Sequence, residues 1–384
     1  MNIAIFTDTY TPQINGVVTS TLTFKRDLEA RGHTVIVGSP KVQDSPPATL
    51  SEWRFASMAF PFQKEHRMTS PLSQNLRNFE DNHFDIIHVQ TPFFMGHLGQ
   101  YLGWRYNIPV IHTYHTYWEE YLHYFPLLPK KICKLVYNHL LTKTFCNRCA
   151  HLIVPSHQMA EKLPTYGITT PISVIPTGIE TPPPISEAEK AALSQKLGLN
   201  PERRYLIFVG RLGLEKNIPF LIEMFAHIAR QLPDVDLLIL GDGPEKEHLK
   251  IQAESLGIGT RCLFPGYVSH AEVFVAYSIA TLIVFASKTE TQGLSLLEGL
   301  AVGKPAVCIQ AMGIQDILAH NNGGFLSPEE PVTFANFGMR LLTDPELYAQ
   351  KAQEAQSRAQ DFSSQNMTLK LESVYQNALS RRPL

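Results

Sequence analysis

The stretch Tyr205-Leu206-Ile207-Phe208-Val209-Gly210-Arg211-Leu212-Gly213-Leu214-Glu215-Lys216-Asn217 decides the reading of the fold. Tyr205–Val209 is a short apolar run of the kind that forms a buried strand. The glycines that follow punctuate a loop, and a helical pattern begins beyond it. A strand that feeds a loop and then a helix is half of a βαβ unit.

The same alternation recurs on both sides. Before this stretch, strand candidates lie at Ile3–Phe6, Val35–Gly38, Ile86–Val89, Val110–Thr113, Leu152–Val154 and Ser173–Ile175. Helices fall between them, one running from about Thr19 to Arg31 and stopped by Gly32. After it come Leu237–Leu240, Cys262–Phe264, Leu282–Phe285 and Ala306–Ile309. Short apolar runs separated by longer amphipathic ones predict α/β architecture with parallel sheets and helical crossovers. The two series are parted by Ile175-Pro176-Thr177-Gly178 and Pro182-Pro183-Pro184, where proline stops regular structure. Ser186 and Glu189 then form a capping-box start for the next helix. The expected organisation is a domain over 1–178, a second over 179–365, and a C-terminal helix within 366–384, amphipathic over Thr368–Leu379.

Composition bounds the function. A chain of 384 residues is comfortable for two cores. A net charge of −2 gives no support to nucleic-acid binding. Through Gly178 there are 15 Lys and Arg against 12 Asp and Glu, and 11 of the 15 histidines, which points that half toward something anionic. Cys133, Cys146, Cys149, Cys262 and Cys308 are too few and too irregular for a disulfide framework. The pair Cys146-x-x-Cys149 has no partner pair at zinc spacing and reads as buried thiols. The apolar start Asn2–Phe6 is too short for a signal segment, and no run reaches about 20 apolar residues. The expectation is a cytoplasmic protein.

Three constellations fall at strand ends, where doubly wound domains place ligand loops. In the first, which opens at the binding-loop glycine Gly210, Arg211 and Lys216 can clamp a diphosphate and neutralise a leaving group. The second is Glu290-Thr291-Gln292-Gly293-Leu294-Ser295-Leu296-Leu297-Glu298, a Glu-x7-Glu spacing. Gln292 and Gly293 precede a helix that carries Glu298 a turn inside, an arrangement suited to phosphate or sugar hydroxyls. The third pairs the loop of Asn15 and Gly16 with the loop of His115, just past a strand end. On residues alone each also fits a plainer role: a solvated loop, acidic residues near a helix start, a structural histidine. Neither a carboxylate pair placed as nucleophile and acid nor an Asp-x-Asp motif near a strand end is evident, so no obligatory metal is expected.

Taken together, Gly210-Arg211-Leu212 with Glu215-Lys216-Asn217, Gly241-Asp242-Gly243-Pro244, Phe264-Pro265-Gly266-Tyr267-Val268 and the Glu-x7-Glu resemble the retaining glycosyltransferases of family 4. The resemblance runs from Asn2 to about Val374 and implies the GT-B fold, two facing Rossmann-like doubly wound domains with a cleft between them. It implies that Arg211 and Lys216 bind the donor diphosphate, that Tyr267 and Val268 lie by the nucleobase, and that Glu290 binds the transferred sugar. Gln292, Gly293 and Leu294 would offer backbone groups, Glu298 would bind the ribose, and Gly16 and His115 would close the site from the N-terminal side. The last helix would cross back to the first domain. Asn15-Gly16 stands where many relatives have paired glycines.

Within the family, Phe6-Thr7-Asp8-Thr9-Tyr10, Gly16-Val17-Val18-Thr19-Ser20, Phe93-Phe94-Met95-Gly96-His97-Leu98-Gly99, Tyr114-His115-Thr116-Tyr117 and Tyr121-Leu122-His123-Tyr124 resemble diacylglycerol glucosyltransferases. This implies UDP-glucose as donor and a membrane lipid as acceptor. The alternatives are a GDP-mannose enzyme acting on phosphatidylinositol or another lipid, and a hexosyltransferase for a soluble or polysaccharide acceptor. A nucleotide-sugar-binding regulator without turnover is a further reading, against which the intact Arg211, Lys216, Glu290 and His115 argue. From Phe125 to Arg148 the chain holds Lys130, Lys131, Lys134, Lys143 and Arg148 and no acid. Such a segment can lie on an anionic membrane surface, making the protein peripheral to the cytoplasmic face. It also fits a crossover helix packed into the N-terminal core.

Overall fold

The computed structural model describes every residue except 14, 43–44, 46, 61–62, 71–75, 77–78, 116–141 and 382–384. The basic residues Lys130, Lys131 and Lys134, with Cys133, Thr116-Tyr117 and Tyr121–Tyr124, lie outside the described residues. The chain forms two compact units, Met1–Gly178 with Ser364–Leu384, and Ile179–Ser363.

The first unit holds β1 (Asn2–Phe6), β2 (Thr34–Pro40), β3 (Glu52–Phe55), β4 (Ser57–Phe60), β5 (Gln63–Thr69), β6 (Ile86–Val89), β7 (Val110–Thr113), β8 (His151–Val154) and β9 (Ile172–Val174). Seven of these make one parallel sheet in the order β3-β2-β1-β6-β7-β8-β9, and β4 and β5 pair antiparallel by themselves. Ile3 is in register with Val35 on one side and Ile86 on the other, so apolar residues line up across the sheet. One face is covered by Phe24 and Leu28 of the helix Gly16–Ala30 and by Met367, Leu371, Val374 and Tyr375 of the helix Ser364–Ser380. Burial of each such aliphatic side chain contributes about 1.5–3 kcal/mol. The first helix starts earlier than its apolar pattern suggests, because the Asn15 carboxamide accepts from the N–H groups of Val17 and Val18 at 3.1 and 3.0 Å. Glu372 ties the last helix down, accepting from Arg31 at 2.6 Å and contacting His33 at 2.7 Å.

The second unit holds β10 (Arg204–Val209), β11 (Val235–Leu240), β12 (Cys262–Gly266), β13 (Leu282–Phe285), β14 (Ala306–Ile309) and β15 (Gly324–Ser327). All are parallel, in the order β12-β11-β10-β13-β14-β15. Helices Ile218–Gln231 and Pro331–Thr343 supply buried faces to this sheet. Ser186 and Glu189 form the reciprocal capping box that the sequence suggests. In each sheet the strand order reverses beside the first strand, between β1 and β6 and between β10 and β13. Such a switch point splays the adjoining loops apart and leaves a crevice at the carboxyl ends. Cys146 and Cys149 are buried free thiols. Among the described residues no helix is long and apolar enough to cross a membrane.

At the first switch point Asp8 joins β1 to β6. Its carboxylate accepts from the Thr91 hydroxyl at 2.6 Å and from the Met95 N–H at 3.0 Å, at the start of the helix Phe94–Arg105. Burial raises its pKa from 3.8 to about 6, partly offset by those donors. A raised folded pKa gives stability that is complete below the unfolded value and is lost as pH rises through the folded one. Unfolding by denaturant at pH 4 and pH 7 is therefore expected to show a loss on the order of 1–3 kcal/mol that Asp8→Asn removes; an identical pH dependence in the variant refutes the assignment.

Candidate functional site

The carboxyl ends of β10, β11 and β12 are stitched to one another through backbone. The Gly210 N–H donates to the Leu240 carbonyl at 3.0 Å, and the Gly241 N–H donates to the Gly266 carbonyl at 2.9 Å. Leu212 donates to Asp242 at 2.9 Å and accepts from the Glu245 N–H at 3.1 Å. This approach is open only to glycine. A Cβ on Gly241 would stand 1.9 Å from the Gly210 carbonyl oxygen, and one on Gly243 2.4 Å from that of Leu212. Leu212 is buried and anchors the loop, whereas Arg211 beside it is exposed and makes no ion pair among the described residues.

Lys216 ends a short turn, Leu214–Lys216, and Asn217 follows at φ 52°. The Ser287 hydroxyl, just past β13, donates to the Glu215 carbonyl at 3.1 Å and ties this turn to the neighbouring strand end. Across the switch point, Lys216 donates to the Glu290 carboxylate. The Glu290 carbonyl accepts from the Gly313 N–H at 3.1 Å, which braces the loop from the next crossover. Gln292 is buried. Gly293, at φ +85°, opens the helix Leu294–Ala301, and a Cβ there would stand 2.5 Å from Ile314 Cδ1.

Glu298 lies one turn inside that helix. His270 Nε2 donates to it at 3.0 Å from the first turn of the helix His270–Ile279. Tyr267 is exposed and Val268 buried between β12 and that helix. The structure thus brings Gly210, Arg211, Lys216, Glu290, Gln292, Gly293, Leu294 and Glu298 to the carboxyl end of one sheet. His270 escaped the sequence reading; the capping box of Ser269 and Glu272 marks the helix start that positions it. Lys246 also escaped it, and its Nζ lies 3.4 Å from the Asp242 carboxylate. Backbone N–H groups at a helix start, two cations and two carboxylates can hold an anion and a polyol together.

In the first unit, Gly16 opens its helix and is exposed. The Asn15 amide donates to Thr9 Oγ1 at 2.8 Å, and the Thr9 hydroxyl donates to Gln13 Oε1 at 2.6 Å, so side chains close the loop after β1. His115 lies two residues past β7, with Nε2 2.6 Å from Gln90 Oε1. Burial pushes its pKa down to about 3, so the imidazole is neutral at pH 7. Gln90, the first residue past β6, gave no signal in the sequence because a lone glutamine matches no motif.

Comparison with known proteins gives the context. Residues 189–358 match the family model of glycosyl transferases group 1, and residues 14–182 match glycosyltransferase family 4. The alpha-monoglucosyldiacylglycerol synthase of Streptococcus pneumoniae is 35% identical over 318 residues, 80% of this chain and 70% of that enzyme. The enzyme of the same name from Acholeplasma laidlawii is 28% identical over 99% of this chain and 98% of its own length. Among solved structures, Anabaena Alr3699/HepE in complex with UDP-glucose has a TM-score of 0.75 at 19% identity, covering 98% of this chain and 100% of that one.

The pair of His270 and Glu298 gives a test of the site's electrostatics. The carboxylate raises the imidazole pKa above its ordinary 6.5. The charged pair is complete below pH 6.5 and is lost as pH rises through the folded value. An NMR titration is expected to find the His270 midpoint above that of an ordinary histidine and to see it fall in Glu298→Gln; an unmoved midpoint refutes the pairing.

Proposed function

We propose that this chain, which belongs to the glycosyltransferases of group 1 and family 4, transfers glucose from UDP-glucose to a membrane lipid such as 1,2-diacylglycerol. The fold and the family make it a hexosyltransferase of GT-B type. The single observation that carries the finer reading is the identity to two enzymes named for monoglucosyldiacylglycerol, one of them matched along nearly its whole length.

The second unit takes the nucleotide-sugar. Arg211 and Lys216 face the diphosphate, Glu290 the sugar hydroxyls, Glu298 the ribose, and Tyr267 and Val268 the base. In the structure Lys216 and Glu290 hold each other; the donor exchanges that contact for one between Lys216 and phosphate and one between Glu290 and sugar. The acceptor oxygen attacks the anomeric carbon as the bond to the phosphate oxygen breaks. UDP leaves with the electron pair and takes up the acceptor proton, and configuration is retained. Cationic side chains aimed at the departing diphosphate stabilise the charge that develops there. The first unit takes the acceptor, with Gly16 and the neutral imidazole of His115 serving the reaction.

A screen of nucleotide-sugars against lipid and soluble acceptors, read by nucleotide release and lipid product, tests this. UDP-glucose with diacylglycerol is expected to turn over and GDP-mannose is not. Arg211→Ala and Lys216→Ala are each expected to lower turnover on the order of 100- to 1000-fold. Glu298→Ala is expected to weaken UDP binding in calorimetry, whereas Glu290→Ala and His115→Ala leave it nearly intact while turnover falls. Equal loss of UDP affinity in Glu290→Ala and Glu298→Ala contradicts the division of labour.

A lipid acceptor requires the protein to reach a membrane. The basic stretch of Lys130, Lys131 and Lys134 supports an anionic surface, each cation contributing about 1 kcal/mol there. Liposome flotation is expected to rise with anionic lipid, fall with salt, and weaken when all three lysines are changed to Glu. A triple variant that floats like the parent and still binds UDP removes this stretch as the contact.

A further inference from the structure

A chain of buried polar side chains runs beneath His115, and neither the motifs nor the proposed reaction uses it. Its members are His88 on β6, Gln90 just past that strand, Thr113 on β7 and Tyr375 on the helix Ser364–Ser380. All four are buried, His88 and Tyr375 completely. His88 Nδ1 lies 2.7 Å from the Tyr375 hydroxyl and its Nε2 2.7 Å from the Thr113 hydroxyl. The Gln90 amide nitrogen lies 3.2 and 3.4 Å from the two ring nitrogens of His88. The Gln90 carbonyl oxygen lies 2.6 Å from His115 Nε2.

Donor and acceptor chemistry orders this chain. A carboxamide oxygen carries no proton, so the contact of 2.6 Å requires the hydrogen to sit on His115 Nε2. The amide could not be reversed without penalty. Its oxygen would then lie 3.2 and 3.4 Å from the ring nitrogens of His88 and find no donor there, because the single N–H and single lone pair of that ring, neutral since burial lowers its pKa to about 3, are already matched by the Thr113 and Tyr375 hydroxyls. His115 is neutral for the same reason. With Nε2 protonated, its lone pair is on Nδ1. Among the described residues, the titratable groups set against His115 are His112 on β7 and His88 behind Gln90, with Tyr375 beyond His88 from the C-terminal helix.

We infer that Gln90 is a positioning residue for the transfer reaction: it holds His115 in the Nε2–H form with the lone pair on Nδ1, and the Tyr375–His88 pair holds Gln90. The inference rests on His115 serving the reaction, as proposed above. It makes the C-terminal helix part of the reaction's support through one hydroxyl. A misdirected ring about 1 Å out of place is enough to slow an oriented reaction on the order of a hundredfold.

Nitrogen-15 NMR of histidine-labelled protein, with the His115 signals identified by their loss in His115→Ala, reads the tautomer without activity. The expected result is a protonated Nε2 and an unprotonated Nδ1 from pH 6 to pH 8. A protonated Nδ1, or a mixture, overturns the inference. Gln90→Leu is expected to lower turnover on the order of ten- to a hundredfold with UDP affinity unchanged. In Gln90→Glu a carboxylate replaces the carboxamide oxygen and favours the imidazolium, so the acid limb of kcat/KM is expected to move up by about one pH unit or more. Tyr375→Phe keeps the ring packing and removes only the hydroxyl, and is expected to mix the His115 tautomers even if Gln90 variants fail to fold. Full turnover in Gln90→Leu, alongside a loss in His115→Ala, overturns the role of Gln90 and spares that of His115. Full turnover in His115→Ala overturns the functional reading of that histidine, and the tautomer measurement then stands as a separate result.

Discussion

The distance between two backbones governs the candidate donor site. The carbonyl oxygen of Gly210 lies so close to Gly241 that any side chain there would collide with it. That approach allows three successive loops to exchange hydrogen bonds at the ends of β10, β11 and β12. Each loop would otherwise need its polar backbone satisfied by water or by its own turn. Stitched together, they form a floor that fixes the backbone carrying Arg211 and Lys216; the Lys216 side chain is held further by Glu290, whereas that of Arg211 stays exposed. Backbone preorganisation of this kind would move part of the cost of ordering the proposed cationic clamp from binding to folding.

The opposite wall of the switch point uses side chains more than backbone. Glu290 is held by Lys216 and braced from behind by Gly313, and Glu298 is held by His270. Each carboxylate already has a cationic or proton-donating partner, which limits the cost of placing acids at the end of a sheet. The first unit solves its own switch point differently. Asp8 and Thr91 bridge the two strand ends in the interior, and the polar chain from Tyr375 to His115 fills the layer below. Fully partnered networks of this sort hold groups to one geometry, and they are costly when one member is removed.

Much of this was legible in the residues because the signals are local. Buried parallel strands leave short apolar runs, and Ile86–Val89, Val110–Thr113, Leu282–Phe285 and Ala306–Ile309 coincide with strands of the structure. The loop motifs were legible because glycine at fixed offsets has few other causes. What escaped had its signal masked or spread. β3, Glu52-Trp53-Arg54-Phe55, carries charge at alternate positions on a sheet edge. β15 begins at Gly324, where only a missing side chain permits contact with the Ala306 carbonyl, and glycine argues against a strand when read alone. Gln90, His88 and Tyr375 are far apart in sequence and meet only when β6 and the last helix share one core. His270 follows a capping serine and looks like an ordinary helix start until Glu298 is placed beside it.

The last helix also sets an order of events. Residues 179 to 363 form a unit from unbroken sequence, whereas the unit that precedes it in the chain lacks one covering of its sheet until residues 364 to 380 exist. During synthesis the first strands to emerge are among the last to be finished. Ile3, Ile5, Val35, Ile86 and Ile111 wait for Met367, Leu371, Val374 and Tyr375 while the whole second unit is made. A nascent chain in that interval exposes an apolar sheet face, the condition under which chaperones engage and aggregation competes. Premature termination ahead of Met367 would therefore act on the N-terminal core, although its strands are made long before.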